Sequence, residues 1–235
     1  MIPPFILIFL AQNRTKSVNF PSIIDRNGKI MYNMEDYVKE KDRSMEKIRT
    51  LFDAGDSEAL VQRGTELFRQ GEEENAFECY RLACKLGNVT AMGNLGFCYQ
   101  NGRGVKADNR LAAYCFERAS ELDDPGSMLK LGDFYFHGKG GLAKDRSKAV
   151  GLYLRAYEIA AAKPEPDERL LAQLCYRLGS CKKDGLGTEQ SFEDAYEYFQ
   201  ATAEAVATDA EYGDLQAESL LRKAEAGMAE CELHF

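Results

Sequence analysis

The sequence predicts an all-α fold, a right-handed α-solenoid of stacked helical hairpins, and three recurring columns of residues predict it. An alanine is followed four residues on by an aromatic and seven residues on by a small residue at Ala76/Tyr80/Ala83, Ala112/Phe116/Ala119, Ala149/Tyr153/Ala156 and Ala195/Phe199/Thr202. These spacings share one face of a helix, and successive copies begin 36, 37 and 46 residues apart. A Leu-Gly pair stands upstream of three stripes, at Leu95-Gly96, Leu131-Gly132 and Leu178-Gly179, with Arg63-Gly64 as a degraded copy. Each repeat therefore holds two helices. Between them three copies carry Gly-x-Gly, at Gly102/Gly104, Gly138/Gly140 and Gly185/Gly187, where glycine ends one helix and redirects the chain. The alanines and the Leu-Gly glycine allow close helix crossing, and the aromatic fills the layer between neighbouring hairpins.

Taken in chain order, residues 1–33 read as a disordered leader or an overextended start. Ile2 to Leu10 is apolar but short for a bilayer span, contains Pro3 and Pro4, and has no basic segment before it, so it lacks the marks of a signal peptide. Residues 34–56 read as a capping helix in which Val38, Met45, Ile48 and Phe52 keep helical spacing, Gly55 stops it and Asp56 caps the next. With Gly55 aligned on Gly87, Ile48 falls on Tyr80, so this is half a repeat. Residues 57–213 hold four hairpins, at about 57–87, 88–124, 125–162 and 167–207. Ten extra residues lie between the third and fourth stripes and include Lys163-Pro164-Glu165-Pro166, where proline ends a helix and the stack can bend. In the fourth copy Lys182 replaces the aromatic of Tyr99 and Tyr135, and Ser191 replaces Asp108 and Asp145, which predicts looser packing. Residues 214–235 read as a C-terminal capping helix carrying Leu220, Leu221, Ala224 and Met228.

Composition narrows the function classes. A net charge of -8 argues against a general nucleic-acid binder, which needs clustered Lys and Arg to displace counterions, and against membrane-surface binding. Seven cysteines, odd in number and without a CxxC pair, fit a reduced, cytoplasmic compartment where the thiol acts as a small apolar filler. Only His137 and His234 are present, too few for a histidine metal cluster or a Ser/His/Asp triad. Gly138-Lys139-Gly140-Gly141 lacks the order of a phosphate loop. No metal, cofactor or catalytic residue is expected.

The units AMGNLGFCYQNGRGVKADNRLAAYCFERA and SMLKLGDFYFHGKGGLAKDRSKAVGLYLRA resemble the Sel-one-like repeat, a relative of the tetratricopeptide repeat with a longer Gly-rich loop. The resemblance covers roughly 59–203, and the shorter first hairpin resembles a plain tetratricopeptide unit. It implies a non-catalytic adaptor whose first helices line a concave groove for a partner peptide or domain. Carried over column by column, that groove takes in Thr65, Phe68, Arg69, Phe97, Gln100, Asn101, Asp133, Phe136, His137, Tyr176, Ser180 and Lys183, a mixture of aromatic and polar groups suited to peptide recognition. Packing of Phe97 or Phe136 against the next hairpin is the other reading.

Loop cations form a second candidate surface. Arg103, Lys106, Arg110, Lys139, Lys144, Arg146 and Lys148 fall on or just after Gly-x-Gly, so stacking would align them as a basic ridge for an anionic partner or leave them as ordinary solvated charge. Cysteine-rich members of the resembled family have been described as penicillin-binding or as β-lactamases, which makes a hydrolase the alternative function. Here no two cysteines stand eight residues apart, as they do in that branch. Ser-x-x-Lys occurs at Ser44/Lys47, Ser127/Lys130 and Ser180/Lys183, without Ser-Asp-Asn or Lys-Thr-Gly. The partner's identity and the oligomeric state are not written in the sequence.

Overall fold

The computed structural model describes residues 45–235, together with two short strands, β1 (Ile23–Ile24) and β2 (Ile30–Tyr32). The chain divides into two compact units, 1–50 and 51–235. In the first, β1 and β2 pair antiparallel, with Ile23 opposite Tyr32 and Ile24 opposite Ile30. The remainder of the expected leader, and the expected capping helix before residue 45, lie outside the described residues. Helix α1 occupies 45–53, and Ile48, the position in register with Tyr80, is fully buried.

The second unit continues as α2 (Ser57–Arg69), α3 (Glu73–Lys85), α4 (Val89–Asn101), α5 (Asn109–Ser120), α6 (Pro125–His137), α7 (Arg146–Ala161), α8 (Glu168–Asp184), α9 (Phe192–Glu211) and α10 (Leu215–Glu232). Its main helix contacts join neighbours or next neighbours in sequence, so this is an all-α solenoid in which each hairpin leans only on the ones beside it. The hairpins are α2/α3, α4/α5, α6/α7 and α8/α9; α10 follows, packed on α9 and α8.

Local chemistry explains where helices begin. Asp56, Asn88, Asp124, Asp167 and Asp214 accept backbone N–H bonds at the start of α2, α4, α6, α8 and α10. Asp108, Asp145 and Ser191 do the same for α5, α7 and α9, each satisfying donors the helix leaves orphaned. Helix α3 begins at Glu72 without a side-chain cap.

The Gly-x-Gly loops perform two tasks. Gly102, Gly138 and Gly185 close α4, α6 and α8 in the left-handed conformation, with φ of 68°, 69° and 62°. The second glycine is required by the hairpin before it. A Cβ on Gly104 would lie 2.1 Å from the Glu73 carbonyl oxygen, on Gly140 2.5 Å from that of Asn109, and on Gly187 2.4 Å from that of Arg146. Glu73, Asn109 and Arg146 each open the second helix of the preceding hairpin, so every loop is keyed onto its neighbour by backbone contact.

The Leu-Gly column meets the aromatic column inside each hairpin. A Cβ would come within 2.6 Å of Tyr80 at Gly64, 2.5 Å of Phe116 at Gly96, 2.4 Å of Tyr153 at Gly132 and 3.0 Å of Phe199 at Gly179. Each ring thus lies on the glycine of its own hairpin and also reaches the next layer, as where Phe116 meets Phe134 edge to face at 5.7 Å. Gly227 of α10 closes on the other side of Phe199, at 2.6 Å for the same hypothetical Cβ. The inserted residues become mostly helix: α7 and α8 each gain about a turn, and the Pro-rich linker takes the rest.

Candidate functional site

In the two hairpins whose stripe carries a tyrosine, the residue after the column glycine stands at the hydroxyl end of that ring. Tyr80 and Tyr153 carry a hydroxyl, and a polar side chain answers it. Thr65 Oγ1 stands 3.4 Å from the Tyr80 hydroxyl and donates to the Val61 carbonyl at 3.0 Å, whereas the Tyr153 hydroxyl donates to Asp133 Oδ1 at 2.8 Å. Phe116 and Phe199 have no hydroxyl, and there the residues are Phe97 and Ser180.

Besides Thr65, the other eleven predicted groove residues separate into an open set and a closed set. In the open set, Phe68 of α2 and Phe97 of α4 meet edge to face at 6.0 Å, and Phe97 stays 40% exposed. Arg69 and Asn101 are exposed on the same two helices, the Asn101 amide donating to the Phe97 carbonyl at 2.9 Å, and Gln100 is half-buried. Phe136 is half-buried, with the Arg146 guanidinium 5.5 Å from its ring and the exposed His137 ring 5.1 Å away. Packing against a neighbouring hairpin and exposure therefore coexist at Phe97.

Internal contacts take up the closed set. Asp133 accepts from Arg177 Nε at 2.8 Å and Nη2 at 3.2 Å, joining α6 to α8. Burial alone would raise the Asp133 carboxyl, but the Arg177 hydrogen bonds and charge, with the Tyr153 hydroxyl and Lys130, hold it below the usual carboxylate range. Burial and the adjacent Asp133 push the Tyr153 phenol upward. Tyr176 lies 5.9 Å from the Phe199 ring, Ser180 donates to the Tyr176 carbonyl at 2.8 Å, and Lys183 pairs with Glu230. Sequence reasoning missed Arg177. The available signal was its place two residues before Gly179, one repeat after an aspartate that directly follows Gly132.

The predicted basic ridge is partly engaged. Arg103 pairs with Glu73 of the preceding hairpin at 2.8 Å. Lys148 donates to the Tyr135 hydroxyl at 2.7 Å with its Nζ 4.1 Å from the ring centre, and Arg146 covers Phe136. Lys106, Lys139 and Lys144 are exposed and make no ion pair among the described residues.

The serines of the alternative hydrolase reading have structural positions. Ser127 is 2% exposed in the first turn of α6, its N–H donating to Asp124 at 2.7 Å; Ser180 is occupied as described, and Ser44 lies outside the described residues. All seven cysteines are free. Burial pushes the thiols of Cys98, Cys115, Cys175 and Cys181 up to about 11 and that of Cys79 to about 12, which keeps them neutral and weakly nucleophilic. Among the described residues no cluster of His, Cys, Asp or Glu could hold a metal ion, and no helix is long and apolar enough to cross a membrane.

Comparison with known proteins bears on the same columns. The chain is 28% identical over 213 residues to Chitin synthase regulatory factor 2 of Schizosaccharomyces pombe, covering 86% of this chain and 40% of that protein. It is 35% identical over 72 residues to ERAD-associated E3 ubiquitin-protein ligase component HRD3A of Arabidopsis thaliana, covering 30% of this chain and 11% of that protein. The chain thus spans two-fifths or less of these relatives. A crystal structure of a Sel1 repeat protein from Oxalobacter formigenes superposes with a TM-score of 0.55 at 26% identity, over 76% of this chain and 74% of that one. The Sel1 repeat family pattern matches residues 58–88, 89–124, 125–159 and 172–205. With those four matches covering more than half its length, and with the glycine-on-ring packing repeated in each hairpin, the chain belongs to the Sel1 repeat family.

Proposed function

We propose that this chain is a non-catalytic interaction scaffold, an adaptor that receives a partner protein or peptide on the side formed by its first helices, the concave groove of a Sel1-type solenoid. The observation that carries this reading is the Phe68/Phe97 ring pair, which spans two hairpins and leaves Phe97 40% exposed beside the polar Arg69 and Asn101. Amphipathic and aromatic anchors of this kind concentrate binding energy in interfaces. Two relatives are named as a regulatory factor and as a ligase component, which supports an adaptor role, and the seven free thiols support the cytoplasm as its compartment.

Affinity capture from native cells tests it. One stoichiometric partner should be recovered and should be lost when Phe97 and Phe136 are both changed to Ser with the helical circular-dichroism signal retained. Undiminished capture by that double variant defeats the groove. Turnover of a chromogenic cephalosporin that Ser127→Ala abolishes defeats the non-catalytic reading.

A further inference from the structure

Three positions are equivalent by backbone geometry but not by side chain. Tyr99, Tyr135 and Lys182 each stand three residues after a Leu-Gly glycine, and their carbonyls accept from the N–H of Asp108, Asp145 and Ser191 at 2.8, 2.9 and 3.0 Å. Tyr99 fills its junction by meeting Phe77 edge to face at 5.4 Å. Tyr135 is buried in the central core, with its hydroxyl capped by Lys148. At the third position Lys182 instead donates to Asp194 Oδ2 at 2.6 Å. Lys148 and Asp194 both lie three residues past their N-caps, so a ring held by a lysine has become a lysine held by a carboxylate.

No ring fills the junction between the third and fourth hairpins at this column, and a cleft of about 540 Å³ lies there. That volume falls in the range of about 300–1,000 Å³ usual for ligand pockets. Val150, Leu154 and Tyr157 of α7, Cys175 and Leu178 of α8 and Tyr198 of α9 line it. Leu154 is 40% exposed, so the apolar lining is reachable from solvent. Lys182, Asp194 and Glu197 supply its charged groups. Glu197 is exposed and makes no ion pair among the described residues, and it belongs to a helix that carries six acidic residues and no Lys or Arg, α9.

We infer that this cleft is a second docking site, which takes an aromatic side chain flanked by lysine or arginine on a partner peptide. The ring occupies the position that tyrosine fills in the two preceding repeats. The flanking cations meet Glu197 and compete with Lys182 for Asp194, in keeping with charge complementarity at specific interfaces. The cleft is walled by the second helices α7 and α9 with one side of α8, apart from the Phe68/Phe97 surface, so the two sites can be tested independently.

Fluorescence anisotropy with the labelled, end-blocked peptides Lys-Lys-Phe-Lys-Lys, Glu-Glu-Phe-Glu-Glu and Lys-Lys-Gly-Lys-Lys decides the matter. The first should bind saturably and at least tenfold tighter than the other two. Lys182→Tyr, which restores the ring of the other repeats, should weaken it tenfold or more, and Leu154→Lys, at an exposed position, should do the same without altering the column. Phe97→Ser should leave this affinity unchanged. Equal binding of the phenylalanine and glycine peptides, or full affinity in both variants, overturns the proposal. Self-association of the chain that Lys182→Tyr abolishes would give the cleft to a second copy and overturn it equally.

Discussion

The junction between the first and second hairpins and that between the third and fourth use the same backbone design yet are closed by different chemistry. At the former, Phe77 and Tyr99 interlock at 5.4 Å near the second helices, while on the first helices Phe97 remains 40% exposed. At the latter, Asp133, Arg177 and Tyr153 tie α6 to α8, while the second helices leave a cleft of about 540 Å³. Beyond the glycine and alanine columns, the first of these junctions adds ring contacts on both its sides, whereas the second adds a charged tie between its first helices and keeps a cleft on the other side.

The ring that joins packing to the Asp133 tie gives the most severe test. Tyr153→Ala removes a fully buried side chain that lies on Gly132 and also withdraws the hydroxyl from Asp133, and it should cost about 3–5 kcal/mol. Urea denaturation should show that loss; a change under about 1 kcal/mol would mean that the third hairpin does not depend on its aromatic column. A smaller effect is expected from importing the open junction's chemistry into the closed one. Tyr99→Lys forfeits a half-buried ring contact, worth about 1–2 kcal/mol with its share of buried area. Tyr99 lies near Cys84 and Cys115, both half-buried, so their labelling by a thiol reagent should accelerate. Unchanged labelling would show that Tyr99 does not seal that side.

What the sequence made legible was whatever repeats within one hairpin. The Ala-aromatic-small stripe and the Leu-Gly pair are local periods, and the structure joins them as glycine on ring in all four copies. Contacts that cross between repeats were harder to read. The second glycine of Gly-x-Gly reads as a turn residue, and Gly104 does take a left-handed φ of 69°, but it is also held to glycine by the Glu73 carbonyl, 31 positions earlier. Asp133 reads as a groove residue for the same reason: its partner Arg177 is 44 positions away, and periodicity gives the phase of each helix without the offset between neighbours. The stacking of His234 on Phe192 at 3.9 Å follows no column at all. Of the candidate groove, Arg69, Phe97, Asn101 and His137 remain exposed, and Lys183 and Ser180 are spent internally.

The Asp133 tie sharpens the comparison through its pH dependence. Asp133→Asn keeps an acceptor for the Tyr153 hydroxyl but removes the charge that Arg177 meets, and with Arg177 partly solvated the loss at pH 7 should be about 1 kcal/mol. The native Asp133 carboxyl lies below its ordinary value. As pH falls below about 4, the unfolded chain takes up this proton first. The stabilisation from the tie is therefore complete above the unfolded carboxylate range and disappears as pH drops through the lower native one. Urea midpoints of the parent and Asp133→Asn should differ at pH 7, and the gap should narrow as pH falls below the ordinary carboxylate range. A gap that persists unchanged in acid would mean that Asp133 serves by shape alone, and the first helices of the third and fourth hairpins would then be joined by no effective charge pair.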